Sequence, residues 1–392
     1  MMDAYPSLSG NWNFPTKMRF GPGRIAELAE ACSVAGINRP LLVTDPGLKP
    51  LPMIAETLAL LEKNGIPPAL FTDIHSNPVG SDIEAGIKAF LNGKHDGVIV
   101  LGGGSAMDAG KAIAFMSGQT RPLWDYEDRE DWWTRADPEG IAPVIAIPTT
   151  AGTGSEVGRA AVITDESDHT KKIIFHPKMM PVEVICDPEL TTGLPPHITA
   201  ATGMDALSHN LEAWCSPFWH PLAQGVALEG MRLVKDWLPV ATKRGSNIEA
   251  RAFMMAASSM GATAFQKGLG SMHAMSHPCS SLRGTHHGLT NAVVMPYVLV
   301  HNKAAIEDKL TAAARYLDLK NQSFSGFVDW VLALREEVGI PHTLKEIGVD
   351  TDIIPEAAPM ALEDPSNGGN PLPMSVAAYE ALYANAIEGR LT

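Results

Sequence analysis

Cysteine is scarce in this chain. The four present (Cys32, Cys186, Cys215 and Cys279) are far apart and form no CxxC pair. That spacing gives no disulfide framework and predicts a reduced, cytoplasmic protein. Basic residues are also in short supply: 30 Lys and Arg stand against 44 Asp and Glu, a formal charge of −14. Such a balance speaks against nucleic acid and anionic membrane as partners, while leaving room for a local cationic pocket. No apolar run approaches the ~20 residues of a membrane span. The opening MMDAYPSLSGNWNFP has neither the basic n-region nor the apolar h-region of a secretory signal. Nothing repeats at a fixed period. What remains is a globular composition, 45% apolar and 19% charged, and 392 residues predict two domains rather than one core.

The first half alternates short apolar runs with helical patterns. Residues 16–23 read as a strand and turn, and 24–35 as a helix. The run PLLVT (40–44) is a continuously apolar strand of the kind buried in parallel sheets, ending at Asp45. A carboxylate there can accept from a ribose 2′-OH; the alternative is an Asx turn ahead of Pro46. A helix over 53–64, a strand over 69–71 and a helix over 81–92, capped by Ser81, follow. GVIVL (97–101) is a third buried strand, running into GGGS (102–105) and a helix over 106–115. Strand, glycine turn and helix together cradle phosphate, because glycine admits close backbone approach and the helix start offers unpaired N–H groups. The pattern is not GxGxxG, and a plain tight turn would look alike. Residues 122–139, with Trp124, Trp132 and Trp133 among many acids, read as a surface excursion. A fourth strand (142–148) enters TTAGTGSE (149–156), a second small-residue loop suited to a nucleotide, and a last strand covers 181–186. This alternation predicts a doubly wound parallel α/β sheet.

Leu194-Pro195-Pro196 marks a boundary, placing one domain at 1–194 and another at 195–392. Helical patterns dominate beyond it, at 197–215, 220–236, 248–265, 289–301, 304–316, 324–338 and 375–387. Within them, Asp205 and His209 are four apart and share a helix face, with Met204, Leu207, Leu211 and Trp214 forming an apolar stripe on the other side. His273 and His277 repeat the spacing, and His286-His287 follow. A carboxylate with several imidazoles is a ligand set for a divalent first-row metal.

Several of these stretches carry a family resemblance. RFGPGR (19–24), GGGSAMDAGKAIA (102–114), PTTAGTGSEV (148–157), DPELTTGLP (187–195), TAATGMDALSHNLEA (199–213), GLGSMHAMSHP (268–278) and HHGLTNAVVMP (286–296) resemble the iron-containing (group III) alcohol dehydrogenases over nearly the whole chain. The resemblance implies a dehydroquinate synthase-like fold, with an N-terminal dinucleotide-binding domain and an all-α metal-binding domain. It implies Asp205, His209, His273 and His287 as metal ligands, and His277 as a histidine near the substrate, whose near-neutral ionisation suits a proton relay; His286 matches no invariant position. Gly102, Gly103, Gly104 and Ser105 match the pyrophosphate loop, with Asp108 counted among the cofactor contacts. Asp45 matches the ribose acid, Thr149, Thr150 and Thr153 the second nucleotide loop, and Lys171 a cofactor lysine. A related maleylacetate-reducing branch lacks the full metal set that is present here. Glycerol dehydrogenase-like and dehydroquinate synthase-like relatives have a different ligand set.

The implied activity is hydride transfer between nicotinamide and a small primary alcohol or aldehyde, by a homodimer or larger assembly. The implied metal is Fe2+, with Zn2+ also suited to the donors. Asp45 favours NAD over NADP, since its charge repels a 2′-phosphate. FQKGLG (265–270) resembles a sub-branch that includes 4-hydroxybutyrate dehydrogenases. Lys267 there, and Arg159 just past the second nucleotide loop, are cations that could bind an anionic tail, as on 4-hydroxybutyrate or succinic semialdehyde. The alternative for both is structural ion pairing. A simple alcohol, diol or lactaldehyde is the other substrate reading, and a non-catalytic metal- or nucleotide-binding regulator the other class. The family's late NPR is here Asn370-Pro371-Leu372, without the arginine.

Overall fold

A computed structural model describes residues 10–12, 15–168 and 170–391. The rest of the N-terminal stretch read above for a signal lies outside them. The chain forms two compact units. One runs to Thr150 and resumes over Gly154–Thr192; the other takes Ala151–Thr153 and everything from Gly193.

The first unit holds a seven-stranded sheet. Its strands are β1 (Gly10–Trp12), β2 (Met18–Phe20), β3 (Pro40–Val43), β4 (Ala69–Phe71), β5 (Gly97–Gly102), β6 (Val144–Pro148) and, after an excursion, β9 (Glu183–Cys186). They lie in the order β1-β2-β9-β6-β5-β3-β4. Every pairing is parallel except β1 with β2. Every residue of β3, β5, β6 and β9 is buried, which is why the first three read as continuously apolar rather than alternating. Among the described residues, four α-helices serve this unit: α1 (Leu28–Ala35), α2 (Pro52–Lys63), α3 (Gly80–Asn92) and α4 (Gly104–Met116). Ile99, Leu101, Ile145, Ile147 and Ile185 cluster with Leu28, Ala31 and Cys32 of α1 and Ile54 and Leu61 of α2. Val100, pointing the other way, meets α4 at Gly110, where any Cβ would collide with its methyl. Glycine there lets the helix lie close on the strand.

Two expectations need correction. Ser81 does not cap α3: the Asp82 carboxylate accepts from the backbone N–H groups of Val79 and His75, each at 3.0 Å, while Ser81 binds Glu166. The second is an unanticipated antiparallel hairpin, β7 (Ala160–Asp165) with β8 (Thr170–Phe175). The tryptophan-rich excursion covers it. Lys172 lies 5.3 Å from the Trp124 ring, and Trp133 packs edge-on against Phe175.

The second unit is all helical among its described residues: α5 (Pro196–Cys215), α6 (Pro221–Lys243), α7 (Ile248–Ala264), α8 (Ser271–Arg283), α9 (His287–His301), α10 (Lys303–Tyr316), α11 (Phe324–Val338), α12 (Ile354–Glu363) and α13 (Val376–Glu388). Helix α5 is its axis. It is buried without a break from Thr199 to Ala213, and α6, α7 and α9 pack around it. No described helix is long and apolar enough to cross a membrane.

Candidate functional site

Three helices meet where the expected metal ligands lie. On α5, Asp205 and His209 face α8, which brings His273, and α9, whose first residue is His287. One donor atom from each of Asp205, His209, His273 and His287 lies within 4.8 Å of all the others. The approach depends on glycine at the crossings. A Cβ on Gly288 would sit 2.8 Å from the Asp205 Cβ, and one on Gly261 of α7 would sit 2.9 Å from the His209 Cβ. Asp205, His209 and His273 are at most 4% exposed, so little water competes for the donors.

Hydrogen bonds fix which ring nitrogen each imidazole presents. His209 Nδ1 lies 3.2 Å from the Gly152 carbonyl, which can only accept, so Nδ1 carries the proton and Nε2 is bare. His273 Nδ1 donates to Glu212 Oε2 at 2.6 Å, so the neutral ring again presents a bare Nε2. Ser276 gives its one hydroxyl proton to the His287 carbonyl, so its oxygen accepts from His287 Nδ1 at 3.0 Å. Three bare Nε2 lone pairs and one carboxylate thus converge, and a divalent ion fits them. Burial pushes His209 down to about 4, keeping it neutral. Burial works the same way on His273, but Glu212 beside it outweighs burial and raises its pKa.

Sequence reading missed three supports of this site. Glu212 stands seven residues after Asp205 and three after His209, hence on their face of α5; that spacing was legible. Gly152 gave no such signal. Asp364, just past α12, accepts from His277 Nδ1 at 2.7 Å and leaves His277 Nε2 free, with the His277 side chain 16% exposed. His286 caps α9, its ring accepting from the Leu289 N–H. Asn370, in the loop that lacks the arginine, accepts from Ser271 N–H at 3.2 Å and pairs reciprocally with Asn302, anchoring the start of α8.

Lys267 requires a correction. It is 2% exposed, and its ammonium donates to the carbonyls of Ala213 (2.8 Å), Trp214 (3.2 Å) and Ser216 (2.7 Å). All three protons are spent closing the C-terminus of α5, where cations are favoured. It is a helix cap, neither a substrate clamp nor a member of an ion pair. Arg159 is exposed, with its guanidinium 5.6 Å from the Phe175 ring.

In the first unit, Asp45, the glycine loop and Thr149-Thr150 follow the carboxyl ends of the adjacent parallel strands β3, β5 and β6. That edge is where open α/β sheets bind ligands. Asp45 Oδ1 closes an Asx turn onto Gly47 and Leu48, at 2.9 and 3.0 Å. Its Oδ2 lies toward Gly102, 3.7 Å from where a Cβ would be. Cβ atoms at Gly102 and Gly103 would meet Ala106 at 2.6 Å and Thr150 at 3.2 Å. The tightness of the turn therefore favours glycine at both, and the start of α4 that follows is a helix N-terminus of the kind a dinucleotide pyrophosphate fits. Ser105 hydroxyl is turned onto the Ser76 carbonyl, and Lys171 Nζ reaches Asn77 Oδ1 at 3.0 Å. Asp108 is occupied structurally: it accepts from Ser155 Oγ at 2.6 Å and Val162 N at 3.0 Å, beside buried Lys111. Thr153 goes with the helical unit.

Comparison with known proteins shows the family and the fold. The sequence model of the iron-containing alcohol dehydrogenases matches residues 15–188, and that of the C-terminal region of the Fe-containing family matches 199–387. A 4-hydroxybutyrate dehydrogenase of Cupriavidus necator is 36% identical over 375 residues, 93% of this chain and 96% of that protein. The crystal structure of a 1,3-propanediol oxidoreductase superposes with a TM-score of 0.89 at 33% identity, covering 94% of this chain and 97% of that one. A sulfoacetaldehyde reductase from Bifidobacterium kashiwanohense, in complex with NAD+, gives 0.85 at 29% identity, covering 95% and 97%.

Proposed function

The chain belongs to the iron-containing alcohol dehydrogenase family, and from that premise we propose that it interconverts a small primary alcohol and its aldehyde using Fe2+ and NAD, at the residues described above. The observation that carries the reading is the set of three imidazoles whose Nδ1 protons are all committed elsewhere, leaving Nε2 lone pairs to converge with Asp205. When bound, the ion supplies Lewis-acid charge that favours loss of the alcohol's proton, and the nicotinamide accepts or returns the hydride. Zn2+ suits the same donors and outranks Fe2+ in raw affinity, so iron would be held by availability rather than by selection. Asp45 supports NAD over NADP: its unengaged Oδ2 is an acceptor for a ribose hydroxyl and repels a 2′-phosphate.

His277 is the proton carrier. Asp364 holds its Nδ1–H, which leaves Nε2 to take the alcohol's proton and pass it to solvent. His277→Ala should lower kcat by roughly a hundredfold, the low end for general acid–base groups, with metal content unchanged. Loss of the ion from that variant would remove the assignment.

The substrate carries a short anionic tail. Support comes from likeness to a 4-hydroxybutyrate dehydrogenase and a sulfoacetaldehyde reductase, and from Arg159 as an exposed cation. The commitment of Lys267 to α5 favours the second reading, an uncharged alcohol or diol. A kcat/KM panel decides between them. 4-Hydroxybutyrate should exceed 1,3-propanediol and ethanol by about tenfold or more, as one charge-assisted contact of ~1.5–3 kcal/mol provides. A preference for the diol sinks the anionic tail and leaves the dehydrogenase standing.

A further inference from the structure

Asn291 lies one turn beyond His287 on α9 and is fully buried. Its amide Nδ2 stands 2.9 Å from Asp205 Oδ1, 3.1 Å from His287 Nε2 and 3.3 Å from His273 Nε2. The partners decide which way the amide faces. In the neutral rings both Nε2 atoms are bare, because Glu212 and Ser276 hold the Nδ1 protons, and the carboxylate can only accept. With its oxygen turned inward, the amide would set a fourth lone-pair group against three others. With its nitrogen inward, two protons serve three acceptors. The cost is visible on the other side, where Asn291 Oδ1 is buried with no partner. Buried polar atoms left unsatisfied are rare and call for a reason beyond packing.

We propose that Asn291 is a positioning residue of the metal centre, one amide that ties ligands from α5, α8 and α9 to a common point. Without an ion, converging lone pairs repel, and the amide dipole holds them together. With an ion present, the bond to Asp205 Oδ1 keeps the carboxylate from swinging away. Groups that orient metal ligands in this way typically govern affinity by 10–100-fold. The inference rests on the metal reading above and adds a residue to it.

The test uses full-length protein stripped with a chelator and titrated with Co2+, read by visible absorption and by the rise in Tm on metal addition. N291A and N291L should each bind Co2+ about 10–100-fold more weakly than wild type, with a smaller metal-induced rise in Tm. N291L keeps a similar side-chain volume but loses both donors without adding a charge, so it carries the comparison if N291A does not fold. A purely structural asparagine would lower Tm equally with and without metal and leave Kd within about twofold of wild type, which overturns the proposal. Tighter binding by N291L overturns it too, since the amide would then hold the ligands away from the ion rather than toward it. Wild-type protein that takes up no divalent ion would defeat the metal reading itself.

Discussion

Replacing Asp205 with alanine is expected to strip the divalent ion and cut turnover by about a thousandfold or more, the several kcal/mol that a Lewis acid contributes to the transition state. Asp205 is the one anion among four donors. Its loss leaves three neutral imidazoles and no formal charge to offset a dication. The fold should survive. Alanine is the better helix former, and a carboxylate only 3% exposed is costly to bury before the ion arrives. Metal-free variant and metal-free wild type should therefore melt within a few degrees of each other. Only wild type should gain from added metal, by about 4 kcal/mol at a thousand times Kd. Elemental analysis, a chelator-controlled melt and an NADH-linked assay check all three points. Asp205→Ala protein that keeps its ion and its rate would remove the site.

The family resemblance, not spacing, singled out Asp205, His209, His273 and His287 from the wider set of histidines, and α5 explains why these four come together. An i,i+4 pair on a helix buried nearly throughout leaves few arrangements, and the glycine of HHG adds the crossing at Asp205. The strands of the sheet were legible for a similar reason: residues buried on both faces cannot alternate. What stayed hidden was set by partners distant in sequence or by signals that conflict. Helix α8 begins after GLG and contains Pro278, and α12 contains Pro359, so local propensity argued against both. Lys267 sits six residues before a ligand and read as a pocket cation, yet its three acceptors lie more than 50 residues upstream. Asp45 had two readings that exclude each other on paper. The structure spends one oxygen on the Asx turn and leaves the other beside Gly102. Glu212 passed unnoticed because an acid late in a helix usually faces solvent, whereas this one is 5% exposed.

Glu212 offers the sharpest separation of stability from metal binding. Its Oε1 accepts from Met272 N–H at 2.7 Å, in the first turn of α8, and its Oε2 accepts from His273 Nδ1 at 2.6 Å. Glu212→Ala leaves both donors buried and unpaired, and should cost roughly 3–5 kcal/mol of stability together with the ion. Glu212→Gln should behave differently. Its amide oxygen can still accept from Met272, but its NH2 then meets His273 Nδ1 as a donor. The imidazole satisfies it by moving its proton to Nε2, at the cost of only ~1 kcal/mol in stability. That proton now occupies the lone pair through which His273 would hold the ion. Glu212→Gln should thus melt near wild type when metal-free, yet bind metal about 10–100-fold more weakly, the span typical for groups that set a ligand's tautomer. Nitrogen-15 shifts of the His273 ring in the metal-free protein report the exchange of protonated nitrogen directly. A variant whose His273 keeps Nδ1–H and whose metal affinity matches wild type would show that the carboxylate does no more than anchor α8.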